Sequence, residues 1–139
     1  MQNRMREHQM EKAAAEKLLK RAQVASFACI DEQGSPYAVP VHFTYEHGKV
    51  YIHGLDRGTK IDYIRQCGRV CLTIWEMSGL LEKPEMTSPC SVNTDYESVV
   101  IRGNARILTD PALKRKALLW IVQKYTPHLA ELEMPDTAV

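Results

Sequence analysis

A chain of 139 residues fits one domain and is long enough to bury a core without disulfide or metal staples. Apolar residues make up 45% and charged residues 25%, as in ordinary globular proteins, and a net charge of +1 leaves no broad basic surface for nucleic acid. No run approaches the ~18 apolar residues that span a bilayer, and the polar start "MQNRMREHQMEK" lacks the apolar segment of a secretion signal, so no membrane is expected and the cytoplasm is the default location.

Met10, Ala14, Leu18 and Ala22 recur at helical spacing with Leu19 beside them, which predicts an amphipathic helix over about 9–22. "VASFACI" at 24–30 reads as a strand, closed by the turn "DEQGSP". Residues 37–45, "YAVPVHFTY", and 49–54, "KVYIHG", alternate as strands. Between them His47-Gly48 suits a two-residue hairpin loop, because glycine tolerates positive φ and histidine visits that region more than most residues. That loop pairs Tyr45 with Val50, Phe43 with Ile52 and His42 with His53. One face then carries Val39, Val41, Phe43, Tyr45, Val50 and Ile52, a core face. The other carries Pro40, His42, Thr44, Tyr51 and His53, and is too aromatic and histidine-rich for a plain solvated surface. It is expected to meet a ligand or a second subunit.

A short helix follows at 59–67, with Thr59 as its expected N-cap, then the strand "RVCLTIW" at 69–75. Residues 76–94 contain proline, glycine and serine and read as a long loop, of the kind that is functional or mobile. "YESVVIRGNARIL" at 96–108 reads as a strand with a glycine bend at Gly103. Asp110 and Pro111 open a helix as N-cap and N1, running to about Tyr125, and Thr126-Pro127 restarts a turn. Hairpin-linked strands with helices at the margins mean an α+β fold with a mostly antiparallel sheet, for which a small barrel with flanking helices is the natural closed form. There is no β-α-β alternation and no G-x-G-x-x-G, which disfavours a dinucleotide fold.

Cys29, Cys67, Cys71 and Cys90 form no C-x-x-C pair, and Cys67 and Cys71 have no second ligand pair at zinc-like spacing, so neither a disulfide framework nor a metal site is expected. Cys29 and Cys71 sit in apolar runs and read as small core residues. Trp120 reads as a core or interface aromatic, and Trp75 stands at a strand end. No serine–histidine–aspartate constellation or nucleophile elbow is recognisable.

The chemically suggestive stretch is "HGLDRGTKI", 53–61. A helix start exposes unpaired N–H groups and about half a positive charge, an anion site. Gly54 and Gly58 allow close backbone approach, Arg57 can grip a phosphate bidentately, and Lys60 adds a point charge. The alternative is a solvated helix start with two ordinary basic residues. His42 and His53 are too few to hold a metal by themselves. They are either satisfied surface or core histidines or neighbours of a bound ligand, where an imidazole titrating near ~6.5 suits proton delivery.

Taken as a linked series, "G-x-P-Y-x-V-P-V-H-F" at 34–43, "I-H-G…G-T-K-I-D-Y-I-R" at 52–65, "R-V-C" at 69–71, "Y-E-S-V-V-I-R-G-N-A-R-I-L" at 96–108 and "D-P-A-L-K-R-K-A-L" at 110–118 resemble one family. It is the pyridoxamine 5′-phosphate oxidase-like, FMN-binding split barrels, and within it the nitroimidazole-resistance (5-nitroimidazole reductase-like) branch. The likeness runs from about residue 13 to about 127. It implies one FMN-binding split-barrel domain over 1–139, with the N-terminal helix at about 9–22, the barrel at about 24–108 and the C-terminal helix at about 110–125. It implies a homodimer with FMN at the subunit interface.

By the same likeness the loop of Arg57, Thr59 and Lys60 holds the FMN phosphate, with His53 and Gly54 beside it. Pro40, Val41 and His42 run along the isoalloxazine ring, and Tyr96 and Ser98 help line the site from the other subunit. His42 matches a family histidine close to the flavin and is the candidate catalytic proton donor, with His53 as its orienting neighbour. The implied activity is FMN-dependent reduction of a small molecule such as a nitroaromatic, with electrons from a reduced nicotinamide. The alternative is a non-enzymatic module binding flavin, haem or deazaflavin. One departure accompanies the likeness: related proteins carry a further strand after the last helix, and "MPDTAV" at 134–139 stands where it would begin.

Overall fold

The computed structural model describes residues 6–132, so the segment 134–139 lies outside the described residues. Helix α1 spans Lys12–Arg21. Its alanines, leucines and lysines are strong helix formers, and it buries Leu18 and Leu19. Strands β1 (Ala25–Ile30), β2 (Pro36–Val41), β3 (Phe43–Glu46) and β4 (Lys49–Ile52) follow, then α2 (Thr59–Gln66), β5 (Arg69–Leu81), β6 (Asn93–Asn104) and α3 (Pro111–Tyr125). Single 3₁₀ turns lie at Pro89–Ser91 and Pro127–Leu129.

All strand pairs are antiparallel. One sheet has the order β2-β1-β5-β6, and β3-β4 form a second. The stretch read as one strand over 37–45 is therefore two, broken at His42, where the chain passes from the first sheet to the second. Antiparallel partners bond at alternate residues. Pro36 and Pro40, paired with Ile30 and Ser26, have no N–H to give, so the even-numbered residues of β2 face away from β1. Beyond the break, the Phe43 N–H donates to the Tyr125 hydroxyl at 3.0 Å instead of to a strand.

The hairpin forms in the expected register, Phe43 opposite Ile52 and Tyr45 opposite Val50, with His47 at φ 51 and Gly48 at φ 76. Two other expectations are corrected. Residues 76–81 continue β5 and 93–95 begin β6, so the expected long loop shrinks to 82–92. The ladder bulges between Met77, opposite Tyr96, and Gly79, opposite Asp95, and a glycine in a strand signals a bulge as readily as a turn. At its other end β6 stops at Asn104, because the Ala105 N–H turns to the Gly68 carbonyl at 2.8 Å.

The core gathers Leu18, Leu19 and Ala22 of the α1 region, Ala25, Phe27 and Cys29 of β1, Val41 and Phe43, and Leu72 and Ile74 of β5. Each large side chain buried there contributes ~1.5–3 kcal/mol. Cys71 does not join it; it lies on the outward face opposite Arg102. Arg21, at the end of α1, hydrogen-bonds Glu76 (2.6 Å) and Glu97, which face one another across β5 and β6. The guanidinium thus offsets a like-charge cross-strand pair and ties α1 to the sheet. Among the described residues no helix is long and apolar enough to cross a membrane.

Helix α3 covers the outer side of the hairpin. Asp110 caps it, accepting from the Ala112 N–H at 3.1 Å. Its Lys124 ammonium donates to the Leu19 carbonyl at 3.2 Å and sits 3.9 Å from the Phe43 ring centroid. Burial pushes the Lys124 pKa down to about 8, with Glu46 opposing. An unfolded lysine keeps its proton to ~10.4. Between these values the unfolded chain binds the extra proton, so Lys124 makes stability rise with pH across that window. We expect the urea midpoint of the wild type to climb from pH 8 to pH 10 relative to a Lys124→Met variant. Parallel curves for the two proteins would show an ordinarily solvated ammonium.

Candidate functional site

Two corners of the fold meet at the strand-to-helix loop 53–58. Tyr63 of α2 packs edge-on against Tyr37 of β2, with ring centroids 5.9 Å apart, and this fixes the helix beside β2. At the far end of α2, Gly68 takes φ 69, and a β-carbon there would meet the Ala105 carbonyl at 3.1 Å. These contacts hold the middle and the C-terminal end of the helix, and the loop 53–58 joins its N-terminus to the end of the hairpin.

Thr59 is not the N-cap. Gly58 is, at φ 105, and its carbonyl accepts from the N–H groups of Ile61 (2.8 Å) and Asp62 (3.0 Å). A residue with a β-carbon rarely adopts that backbone, so the glycine is a steric requirement of the turn. Thr59 becomes the first helical residue, and no side chain caps the N-terminus. The Lys60 side chain folds back over the loop: a β-carbon on Gly54 would lie 3.2 Å from its Nζ. Gly54 and Lys60 thus meet beside the uncapped helix start at Gly58 and Thr59, a cationic corner with the exposed Arg57 next to it in the chain. Among the described residues neither Arg57 nor Lys60 enters an ion pair. A lysine, an arginine and uncapped N–H groups are donors of the kind that can bind a phosphate monoester.

The histidines adjoin this corner. The His42 and His53 rings stack with centroids 6.4 Å apart, and His42 stacks on Tyr125 at 4.5 Å, with 25° between planes in each case. Partial burial, then the neighbouring charges of His42 and Lys60, hold His53 below the usual imidazole range. This favours the neutral form of His53. A cavity of about 410 Å³ opens beside α3, lined by both imidazoles together with Leu118, Ile121, Val122, Tyr125 and Thr126.

Tyr125 is the residue that sequence reading missed. Besides its contact with His42, its hydroxyl lies 2.7 Å from the Gln23 carbonyl and 3.0 Å from that of Phe43, and it accepts the Phe43 N–H. One side chain satisfies the backbone where the sheets part. Only a partnership 82 residues apart reveals this, and no local pattern announces it. Tyr125→Phe keeps the ring and strands the Phe43 N–H, which costs ~1–3 kcal/mol. We expect a lowered urea midpoint of that size, and an unchanged midpoint would refute the clamp.

The outer hairpin face, expected to meet a ligand or a second subunit, is largely covered by the chain's own helix. Trp120 packs on Tyr51 (5.1 Å) and His47 (5.8 Å), and Thr44 is buried. His42 and His53 remain exposed beyond it. Pro40 is exposed on the free edge strand, whereas the Val41 side chain enters the core. Tyr96 and Ser98 are not brought to this site. They lie on β6, three strands from β2, or ~14 Å at ~4.8 Å per strand. Among the described residues no group of His, Cys, Asp or Glu is gathered to hold a metal.

Comparison with known proteins agrees with this architecture. A model of the pyridoxamine 5′-phosphate oxidase family matches residues 11–138. A proposed 5-nitroimidazole antibiotic resistance protein from Bacteroides thetaiotaomicron superposes with a TM-score of 0.75 at 29% identity, over 92% of this chain and 73% of its own. A flavocytochrome from Azotobacter vinelandii gives 0.77 at 26% identity over 90% of this chain, which spans 56% of that larger protein. An FAD-binding protein from Mesorhizobium loti gives 0.61 at 25% identity, over 91% of this chain and 80% of its own. No curated protein matches the chain. With 128 matched positions carrying the cationic corner, the histidine stack and both sheets, the chain belongs to the pyridoxamine 5′-phosphate oxidase family.

Proposed function

We propose that this chain is an FMN-dependent oxidoreductase that reduces a small molecule, a nitroaromatic compound in the first instance, with electrons from a reduced nicotinamide. The observation that carries the reading is Lys60 folded over Gly54 at an uncapped helix start, beside two stacked imidazoles. Arg57, Lys60 and the N–H groups of Thr59 and Lys60 hold the phosphate. The free edge of β2 supplies backbone groups of Ala38 and Pro40 to the polar rim of the ring. FMN, when bound, supplies the hydride and electron chemistry, and the protein binds and orients it. His42 delivers a proton from a ring nitrogen to the substrate, and His53, held neutral, orients it.

In this reading the two sheets are the halves of a split barrel, with His42 at the corner between them. A second copy docks on the outward face of the larger sheet. That face exposes Trp75, Met77, Tyr96 and Val100, with a hollow of about 210 Å³ between Pro40, Ser26 and Trp75. A homodimer there is how Tyr96 and Ser98 would reach a flavin at the interface. Reliance on a reduced nicotinamide fits a cytoplasmic location.

The visible spectrum of the purified protein is the first test, and a flavin band is expected. Under anaerobic conditions NADH or NADPH should bleach it and a nitroimidazole should restore it. Failure of both nucleotides to bleach a bound flavin would sink the reductase reading. One observation favours a second reading, a haem-binding module: two exposed imidazoles border an apolar cavity, and the Azotobacter relative is a flavocytochrome. A Soret band in place of the flavin band would establish it.

A further inference from the structure

We propose that Tyr125 is a positioning residue for His42: its ring sets the plane of the imidazole, and its hydroxyl fixes the backbone from which that imidazole projects. This deepens the proposed function and rests on it, because His42 is the proton donor there. The need for such a residue follows from where His42 stands. It lies between β2 and β3, in neither sheet, so no ladder of strand partners fixes it. Its side chain is exposed, and among the described residues no hydrogen bond reaches the imidazole. An exposed side chain changes rotamer within ps–ns unless packing holds it. Two rings are near enough to do so. The His53 centroid is 6.4 Å away, toward the outer limit of the ~4.5–7 Å range of aromatic pairs, and that of Tyr125 is 4.5 Å away, at the near limit. The closer ring has the larger hold on the imidazole plane.

Tyr125 can set that plane because it is itself fixed. It is the last residue of α3. Its hydroxyl lies 2.7 Å from the Gln23 carbonyl, to which it donates, and accepts the Phe43 N–H at 3.0 Å. Burial holds the phenol pKa above its usual value, against the opposing hydrogen bond of Phe43, so the group stays neutral and able to donate. One side chain thus holds residue 43 through its hydroxyl and residue 42 through the face of its ring. Proton delivery needs a donor within ~2.6–3.2 Å of its acceptor. A misplacement of about 1 Å can cost roughly a hundredfold in rate. An imidazole free to turn at a strand break would meet that requirement only part of the time.

Two readouts test this. In the full chain without flavin, NOEs between the His42 and His53 imidazole protons report whether His42 keeps its place. They are expected to persist in Tyr125→Phe, which keeps the ring, and to vanish in Tyr125→Leu while the amide signals of β1 and β5 stay in place. Tyr125→Met serves if the leucine variant does not fold. In the chain loaded with FMN and bleached by NADH or NADPH, reoxidation by 2-methyl-5-nitroimidazole is followed without oxygen. Tyr125→Leu should slow it roughly tenfold or more. The conservative Tyr125→Phe should bring the rate back to within about threefold of wild type. The deciding comparison is made without His42. Because Tyr125 acts through that imidazole, adding Tyr125→Leu to His42→Ala should slow reoxidation no further, whereas a purely structural role would slow both backgrounds alike. NOEs that survive in Tyr125→Leu, a phenylalanine variant as slow as the leucine one, or equal slowing in the two backgrounds would overturn the inference. A chain that binds no FMN, or whose His42→Ala variant reoxidises at the wild-type rate, defeats the proposed function, and the flavin-free NOEs then decide the positioning by themselves.

Discussion

Replacing both Arg57 and Lys60 by alanine is expected to weaken FMN binding by a factor of roughly 10²–10⁴. Each cation would make a charge-assisted hydrogen bond to phosphate, contributing ~1.5–3 kcal/mol, and every ~1.4 kcal/mol is a tenfold change in affinity. Neither side chain enters an ion pair among the described residues, so removing both leaves no buried charge unpaired. The urea midpoint of the double variant should stay near wild type, as for surface substitutions generally, within ~0.5 kcal/mol. That split, with affinity lost and stability kept, distinguishes a binding corner from a structural one. Titration by flavin fluorescence measures the first and urea unfolding the second. Wild-type FMN affinity in the double variant would move the phosphate elsewhere. Added salt should weaken FMN binding to the wild type more than to the variant, because the screened charges are those removed.

Phe43→Ala is expected to act on stability first. Phe43 is 0% exposed and is among the largest fully buried side chains. It lies in the core cluster with Leu18 and Phe27, and the Lys124 ammonium caps its ring. Truncating such a phenylalanine costs ~3–5 kcal/mol, a large part of the ~5–15 kcal/mol that keeps a domain folded. The urea midpoint should fall steeply. The effect should also reach the site, because Phe43 follows His42 and its backbone is the part held by Tyr125. Lys124 loses the Phe43 ring in the same variant and keeps the Leu19 carbonyl and the more distant Tyr125 ring. A destabilisation below ~1 kcal/mol would mean that the hairpin is not anchored through this side chain.

Both variants act on elements that were unequally legible in the sequence. The hairpin register followed from His47-Gly48 alone, because a two-residue loop with positive φ permits one pairing, and every cross-strand partner then follows. The helix start at Asp110-Pro111 was equally local. The corner at Gly54–Lys60 was visible as glycines and cations before a helix. Its cap was misassigned, because threonine is the better capping side chain whereas the observed φ of 105 at position 58 admits only glycine comfortably.

The second half of β5 was missed for a different reason. "SG" in "EMSGLL" is turn chemistry by local standards, and only the partner strand β6 turns Gly79 into a bulge within a continuing ladder. The outer hairpin face was read correctly as unusual, but its occupant was unforeseeable from the hairpin: Trp120 and Tyr125 arrive from a helix more than sixty residues later in the chain.

The sequence alone determined the helices, the hairpin register, the antiparallel α+β character, the family likeness and the cationic loop, because each rests on backbone preferences or patterns within a few residues. Only the tertiary structure decided that the strand breaks at His42, that Tyr125 clamps the break, that α3 lines a cavity together with the imidazoles, and that Tyr96 and Ser98 stand three strands away. Those features depend on contacts between segments far apart in the chain. Their free energies belong to pairs of elements, and no single stretch of sequence carries them.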